Sequence, residues 1–170
     1  MNKYIVVAIM SVASFAPSGA QAATPSASID RLEALVFGTP LPTFLDIARK
    51  PGTTDRSFDW SSDLCSAPLI GSTGRSFDFS GPCRRHDFAY RNFKSMDRIT
   101  TCQVPPTGGT CRTVHMPSGH WWNSASRHRI DRQFLSDMLA HCTTRSGATK
   151  ISCRSWAQVF YRSVRVAGGP

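Results

Sequence analysis

The chain has 170 residues, with 20 Lys and Arg against 11 Asp and Glu, a formal charge of +9 and six cysteines. That length allows one domain with a real core, and the positive balance suits anionic partners such as nucleic acid, acidic polysaccharide or negatively charged lipid. The composition excludes a low-complexity chain and, beyond the first 22 residues, any stretch long and apolar enough to be a transmembrane helix.

Met1, Asn2 and Lys3 make a short basic start, and Tyr4 to Phe15 is apolar apart from Ser11 and Ser14. Ala20-Gln21-Ala22 places small residues where a signal peptidase reads them. The pattern predicts a secretory signal over 1–22, cut after Ala22. Its apolar run is shorter than the roughly 20 residues a membrane anchor needs. Cleavage would remove Lys3 and leave 148 residues with a formal +8. Six cysteines remain, Cys65, Cys83, Cys102, Cys111, Cys142 and Cys153. An even count in an exported chain reads as disulfides, with the connectivity left open. No C-x-x-C pair or zinc-finger spacing occurs, which sets zinc aside.

Residues 23–28 read as a loose amino terminus. A first helix is expected to start at Asp30, an N-cap with Glu33 three residues on. Leu32, Leu35 and Val36 fall on one face, and Gly38 stops the helix. A second short helix is expected from Thr43 to Lys50, ended by Pro51-Gly52. Arg49-Lys50 admits two readings: a dibasic processing site that would make 23–50 a propeptide, or a basic helix carboxyl end. The second is preferred, so 23–52 is an N-terminal helical segment and 53–170 the main region.

Residues 53–80 lack periodicity, yet hold Phe58, Trp60, Leu64, Leu69, Ile70, Phe77 and Phe79. So apolar a loop is expected to be ordered and functional. Gly81-Pro82 opens a third helix running to about Lys94. Residues 98–123 form a second loop, a hairpin-shaped excursion with Pro105-Pro106 and Gly108-Gly109 between Cys102 and Cys111. Ile130, Phe134, Leu135, Met138 and Cys142 mark a long helix from about Ser124. After a turn near Gly147, Ser155 and Gln158 suggest a capping box for a last helix bearing Trp156, Val159, Phe160 and Val164. The expected class is mainly α, a small disulfide-stabilised helical domain.

The chemistry concentrates on the third helix, in Cys83-Arg84-Arg85-His86-Asp87-Phe88-Ala89-Tyr90-Arg91-Asn92. Adjacent helix residues point about 100° apart, so His86 and Asp87 serve different groups. Cys83 and Asp87 share a face, and a disulfide from Cys83 to its nearest partner, Cys65, would bring the Asp63-Leu64 loop beside Asp87. Carboxylates and carbonyls converging from loop and helix are what calcium takes. Asp131 lies on the same face as Phe134, Leu135 and Met138, where a carboxylate needs a partner. His86 on a neighbouring antiparallel helix is a ready one.

The segment from Cys83 to Asn92 resembles the active-site helix of the prokaryotic and fungal secreted phospholipases A2. Phe58-Asp59-Trp60-Ser61-Ser62-Asp63-Leu64-Cys65 is similar to their calcium loop, and Arg129-Ile130-Asp131 with Phe134 and Met138 to their second catalytic helix. The likeness covers roughly 43–164 in order, leaving aside 98–123. It implies two antiparallel catalytic helices and a calcium-binding loop. It implies that His86 is the general base on a water attacking the sn-2 ester of a glycerophospholipid, releasing a fatty acid and a lysophospholipid. Asp131 would orient His86. Asp63, Asp87 and the Leu64 carbonyl would hold calcium, which stabilises the oxyanion. Tyr90 would line the substrate site or bond near Asp131. The implied disulfides are Cys65–Cys83, Cys142–Cys153 and Cys102–Cys111. The chain departs from its relatives at Ala89, where they usually carry Gly, and in the added Cys102–Cys111 excursion.

The implied setting is secreted, peripheral at a phospholipid membrane surface, monomeric and without nucleic acid. Trp121-Trp122 beside Arg127, His128 and Arg129 would suit a lipid interface, although one indole capping the core and one half-exposed is the preferred reading. His115 and His120 read as loop residues. Two rival functions use the same charge. A non-catalytic basic membrane- or receptor-binding protein would have lost the His or a calcium carboxylate, and both are present. A secreted ribonuclease would pair two histidines with a cation, whereas here the best histidine pairs with carboxylates.

Overall fold

The computed structural model describes residues 25–64, 73–74, 77–97, 100–103, 112–115 and 119–167. Those residues are mainly helical. Helix α1 spans Pro25–Glu33 and widens into a π turn at Ala34–Gly38, α2 spans Leu41–Arg49, α3 Ser80–Met96, α4 Ser124–His141 and α5 Gly147–Ala167. Two short antiparallel hairpins interrupt them: β1 (Thr73–Gly74) with β2 (Phe77–Asp78), and β3 (Thr100–Gln103) with β4 (Arg112–His115). The second hairpin sets Cys102 opposite Thr113, so the 98–123 excursion contains strands. The Cys102–Cys111 pairing lies outside the described residues.

Two helix starts differ from expectation. α1 already begins at Pro25, which puts Asp30 inside the helix rather than at its N-cap and makes 25–28 helical where a loose start was expected. Proline fits the first helical turn because its missing N–H has no partner there. α5 begins at Gly147, so Ser155 and Gln158 are mid-helix and form no capping box. Gly147 itself takes φ +53°, a left-handed conformation that glycine adopts freely. The capping box that does form is at α4. The Asn123 side chain accepts from Ala125 and Ser126 amides, and the Ser126 hydroxyl accepts from the Asn123 N–H.

α3 is the central helix. On one side Phe88, Ala89, Phe93 and Met96 pack with Ile29, Leu32, Leu35, Val36, Phe44 and Phe58. On the other, Cys83 joins Phe79, Phe134, Met138, Ala157, Phe160 and the Cys142–Cys153 disulfide that closes the α4–α5 turn. α2 crosses close to the start of α3, where a Cβ on Gly81 would stand 3.1 Å from a Leu45 methyl. Side-chain pairs give the helix directions. Arg85 meets Asp137, His86 meets Asp131, and Asp97 accepts the Trp121 and Trp122 amides. Rising numbers on α3 thus meet falling numbers on α4, and the two run antiparallel.

Arg85 and Asp137 form a bidentate ion pair in the core, and Arg85 also donates to the Thr39 carbonyl. Burial pushes the Asp137 carboxyl up, against the pull of Arg85. Removing one partner of such a pair strands the other charge and costs about 3–5 kcal/mol. Asp137→Ala is therefore expected to lower Tm by roughly 10 °C, read by differential scanning calorimetry.

Candidate active site

A carboxylate with no solvent exposure has to find its donors inside the protein. Asp131, on the α3-facing side of α4, is 0% exposed and has three. His86 Nε2 lies 2.8 Å from its Oδ1, and the Tyr90 hydroxyl donates to the same oxygen at 2.8 Å. Arg165 Nη1, from the end of α5, donates to Oδ2 at 2.8 Å. Burial pushes the Asp131 carboxyl up, but the bonds from His86, Arg165 and Tyr90 outweigh it and hold the group below the usual carboxylate range. The Tyr90 phenol is pushed well above its ordinary value by burial and by Asp131, so it stays a donor. The His86 ring is held between Tyr90 and Phe134, with centroids 4.3 and 4.8 Å away. Because Asp131 can only accept, Nε2 carries the ring proton and Nδ1 is the acceptor.

One helical step from His86, Asp87 faces the loop that precedes α3. Its Oδ2 accepts from the Ser62 hydroxyl at 2.6 Å and from the Asp63 and Leu64 amides at 3.1 Å each. Those bonds wrap the loop around the carboxylate and hold Leu64 at φ +54°, a conformation that costs a non-glycine residue about 1–2 kcal/mol. Asn92 fixes the base of the loop. Its side chain accepts from the Asp59 N–H and donates to the Asp59 and Phe88 carbonyls. Trp60 stacks at 4.3 Å on Phe88, locking the loop to the core.

Asp63 and Asp87 lie close enough for each to shift the other's titration. Asp63 accepts from Arg91 at 2.9 Å and is held below the usual range chiefly by that bond. Asp87 is pushed up, first by burial and then by the charge of Asp63. Two carboxylates side by side, one of them desolvated, form a hard-oxygen donor set that fits a divalent cation such as calcium. Side chains alone make no cluster of three His, Cys, Asp or Glu among the described residues, so a third protein ligand would be backbone oxygen. A cavity of about 500 Å³ between α2 and the start of α3 touches the loop at Leu64, but neither His86 nor Asp131 lines it.

A family model described as prokaryotic phospholipase A2 matches residues 32–104 and 117–168. The chain belongs to the prokaryotic phospholipase A2 family. A secretory phospholipase A2 of Beauveria bassiana (strain ARSEF 2860) is 35% identical over 140 residues, covering 82% of this chain and 58% of that protein. A secretory phospholipase A2 of Arthroderma benhamiae (strain ATCC MYA-4681 / CBS 112371) is 28% identical over 171 residues, covering 99% of this chain and 95% of the relative. This chain thus spans less than two thirds of the Beauveria protein's length. The phospholipase A2 family match omits 105–116, a stretch that contains β4.

Within this phospholipase A2 fold, His86, Asp131 and Tyr90 come together at one carboxylate, and Asp63, Leu64 and Asp87 at another. Cys142 and Cys153 are bonded to each other and Cys83 is disulfide-bonded. The pairing expected for Cys65 falls outside the described residues. Trp121 and Trp122 are both partly buried against the first core cluster, with Trp122 edge-on to Tyr90 at 4.8 Å and Arg127 over its ring. Asp97 holds this pair in place by accepting from the Gly119, Trp121 and Trp122 amides. Sequence reasoning missed Arg165, Asn92 and Asp97 as parts of the site. Arg165 had one readable sign: it continues the stripe Cys153, Ala157, Tyr161 at four-residue spacing, which aims a cation at the packed side of α5.

Proposed function

We propose that the protein is a secreted, calcium-dependent phospholipase A2 that cleaves the sn-2 ester of glycerophospholipids into a fatty acid and a lysophospholipid. The observation that carries the reading is the His86–Asp131 bond beside the Asp63–Leu64–Asp87 cluster, in a member of the phospholipase A2 family. His86 Nδ1 takes a proton from water as the water oxygen attacks the sn-2 carbonyl carbon. Asp131 fixes the tautomer and stabilises the imidazolium that forms. The bond from the carbonyl carbon to the glycerol oxygen then breaks, and His86 returns the proton to that oxygen. No serine nucleophile is needed. Asp63, Asp87 and the Leu64 carbonyl are the groups that would hold calcium, which when bound supplies Lewis-acid polarisation of the ester and charge for the phosphate.

Secretion rests on the leader pattern over 1–22 and on the relatives' name of secretory phospholipase A2. Among the described residues no helix is long and apolar enough to cross a membrane. The partner is a phospholipid surface, met peripherally, and the working unit is a monomer. To test the activity, phosphatidylcholine with different labels at sn-1 and sn-2 is incubated with the protein and calcium. Selective release of the sn-2 acid is expected. Vesicle binding without release would give the reading to the non-catalytic membrane-binding alternative.

The segment before Pro51 is retained in this reading. Ile29, Leu32, Leu35, Val36 and Phe44 are buried in the core that holds Phe88. Burying five such side chains contributes about 10 kcal/mol, comparable to the whole net stability of a domain. A chain beginning at Pro51 is expected to show no cooperative thermal transition, whereas one beginning at Ala23 melts as a single unit.

A further inference from the structure

We propose that Arg165, near the end of the last helix, is a positioning residue for the His86–Asp131 pair, so that α5 is part of the catalytic apparatus as well as a packing element. The inference deepens the phospholipase reading and rests on it for its kinetic readout. Asp131 has two oxygens, and one of them serves both His86 and Tyr90. Only Arg165 binds the other, at 2.8 Å, among the described residues. Without that bond Oδ2 has no donor among the described residues, and only the two bonds at Oδ1 oppose a turn of the carboxylate about its last torsion. Arg165 also supplies the positive charge that a fully buried carboxylate requires when the histidine beside it is neutral.

The fold delivers Arg165 to this place through a matched pair of arms. Asp131 lies eleven residues before Cys142, and Arg165 twelve residues after Cys153. At about 1.5 Å per residue both arms are roughly 17 Å long. The Cys142–Cys153 disulfide fixes the register where the antiparallel helices turn, and the arms then bring Arg165 level with Asp131. The side chain of Arg165 is 36% exposed while that of Asp131 is 0% exposed, so the guanidinium reaches in from the surface.

The test compares wild type, Arg165→Gln, Arg165→Lys and Arg162→Gln, the last an exposed arginine on the same helix. Turnover is measured on phosphatidylcholine vesicles with saturating calcium, with Tm and calcium affinity measured alongside. Arg165→Gln is expected to lower kcat about 10- to 100-fold at unchanged KM and calcium affinity. Arg165→Lys should recover part of that loss, and Arg162→Gln should stay within about twofold of wild type. A second readout does not need turnover. The downfield ring N–H proton of His86 bonded to Asp131 is expected by NMR in wild type and Arg165→Lys, and lost or broadened in Arg165→Gln. Wild-type-like kcat and an intact resonance in Arg165→Gln would overturn the inference, as would a wild-type spectrum without the resonance. If the wild type turned over no phospholipid, the phospholipase reading would fail while the resonance still decided the role of Arg165.

Discussion

Replacing His86 with Ala is expected to lower kcat for phospholipid hydrolysis by about 10³-fold, within the usual worth of a general base. The ring is buried between Tyr90 and Phe134, and truncation leaves a space there, so Tm should fall by a few degrees without loss of the fold. Asp131→Asn isolates orientation from presence. Its amide can turn an N–H toward His86, which makes Nε2 the acceptor and leaves the proton on Nδ1, where the water must be deprotonated. A loss of about 10²- to 10⁴-fold follows from that wrong tautomer. The same substitution leaves Arg165 opposite a neutral group, so it should also cost stability. Calorimetry and steady-state kinetics on one preparation separate the two effects.

Asp87→Asn is the second large effect. Asparagine keeps an oxygen to accept from Ser62, Asp63 and Leu64, so the loop should hold its shape while the charge is lost. Several kcal/mol of Lewis-acid stabilisation depend on that charge, and activity is expected to fall by roughly 10²- to 10³-fold. Asp63→Asn should cost less, because Arg91 already shares the Asp63 carboxylate. The same residues predict a calcium-linked melting shift. At about 100 times its Kd, a ligand that binds only the folded state adds about 2.7 kcal/mol, or roughly 5–10 °C for a domain of this size. The shift should appear with calcium in wild type and be largely lost in Asp87→Asn.

The link between His86 and Asp131 was legible before any coordinates, because a carboxylate on the apolar face of a helix is costly until paired, and one histidine was placed to pair with it. The approach of the Asp63-Leu64 segment to Asp87 was legible too, because Cys83 shares a helix face with Asp87 and its nearest cysteine follows Leu64. Helix starts were read less well. Asp30 and Ser155 carry cap-like spacing, yet upstream residues continue the helix through both, and local hydrogen-bonding preference yields to packing of the whole segment. Arg165 and Asp97 were hidden because their roles depend on long-range placement. Arg165 meets a residue 34 positions away, and Asp97 holds amides more than twenty positions on. Asn92 stood inside the quoted motif, but its use as a backbone clamp for Asp59 depends on how the loop folds back.

The most direct test of the central claim is release of the sn-2 fatty acid from mixed phospholipid vesicles, measured for the purified protein with calcium, then with a chelator, beside His86→Ala. Release that requires calcium and disappears with the histidine is the predicted result. Release that persisted in the chelator, or at full rate in His86→Ala, would contradict the account.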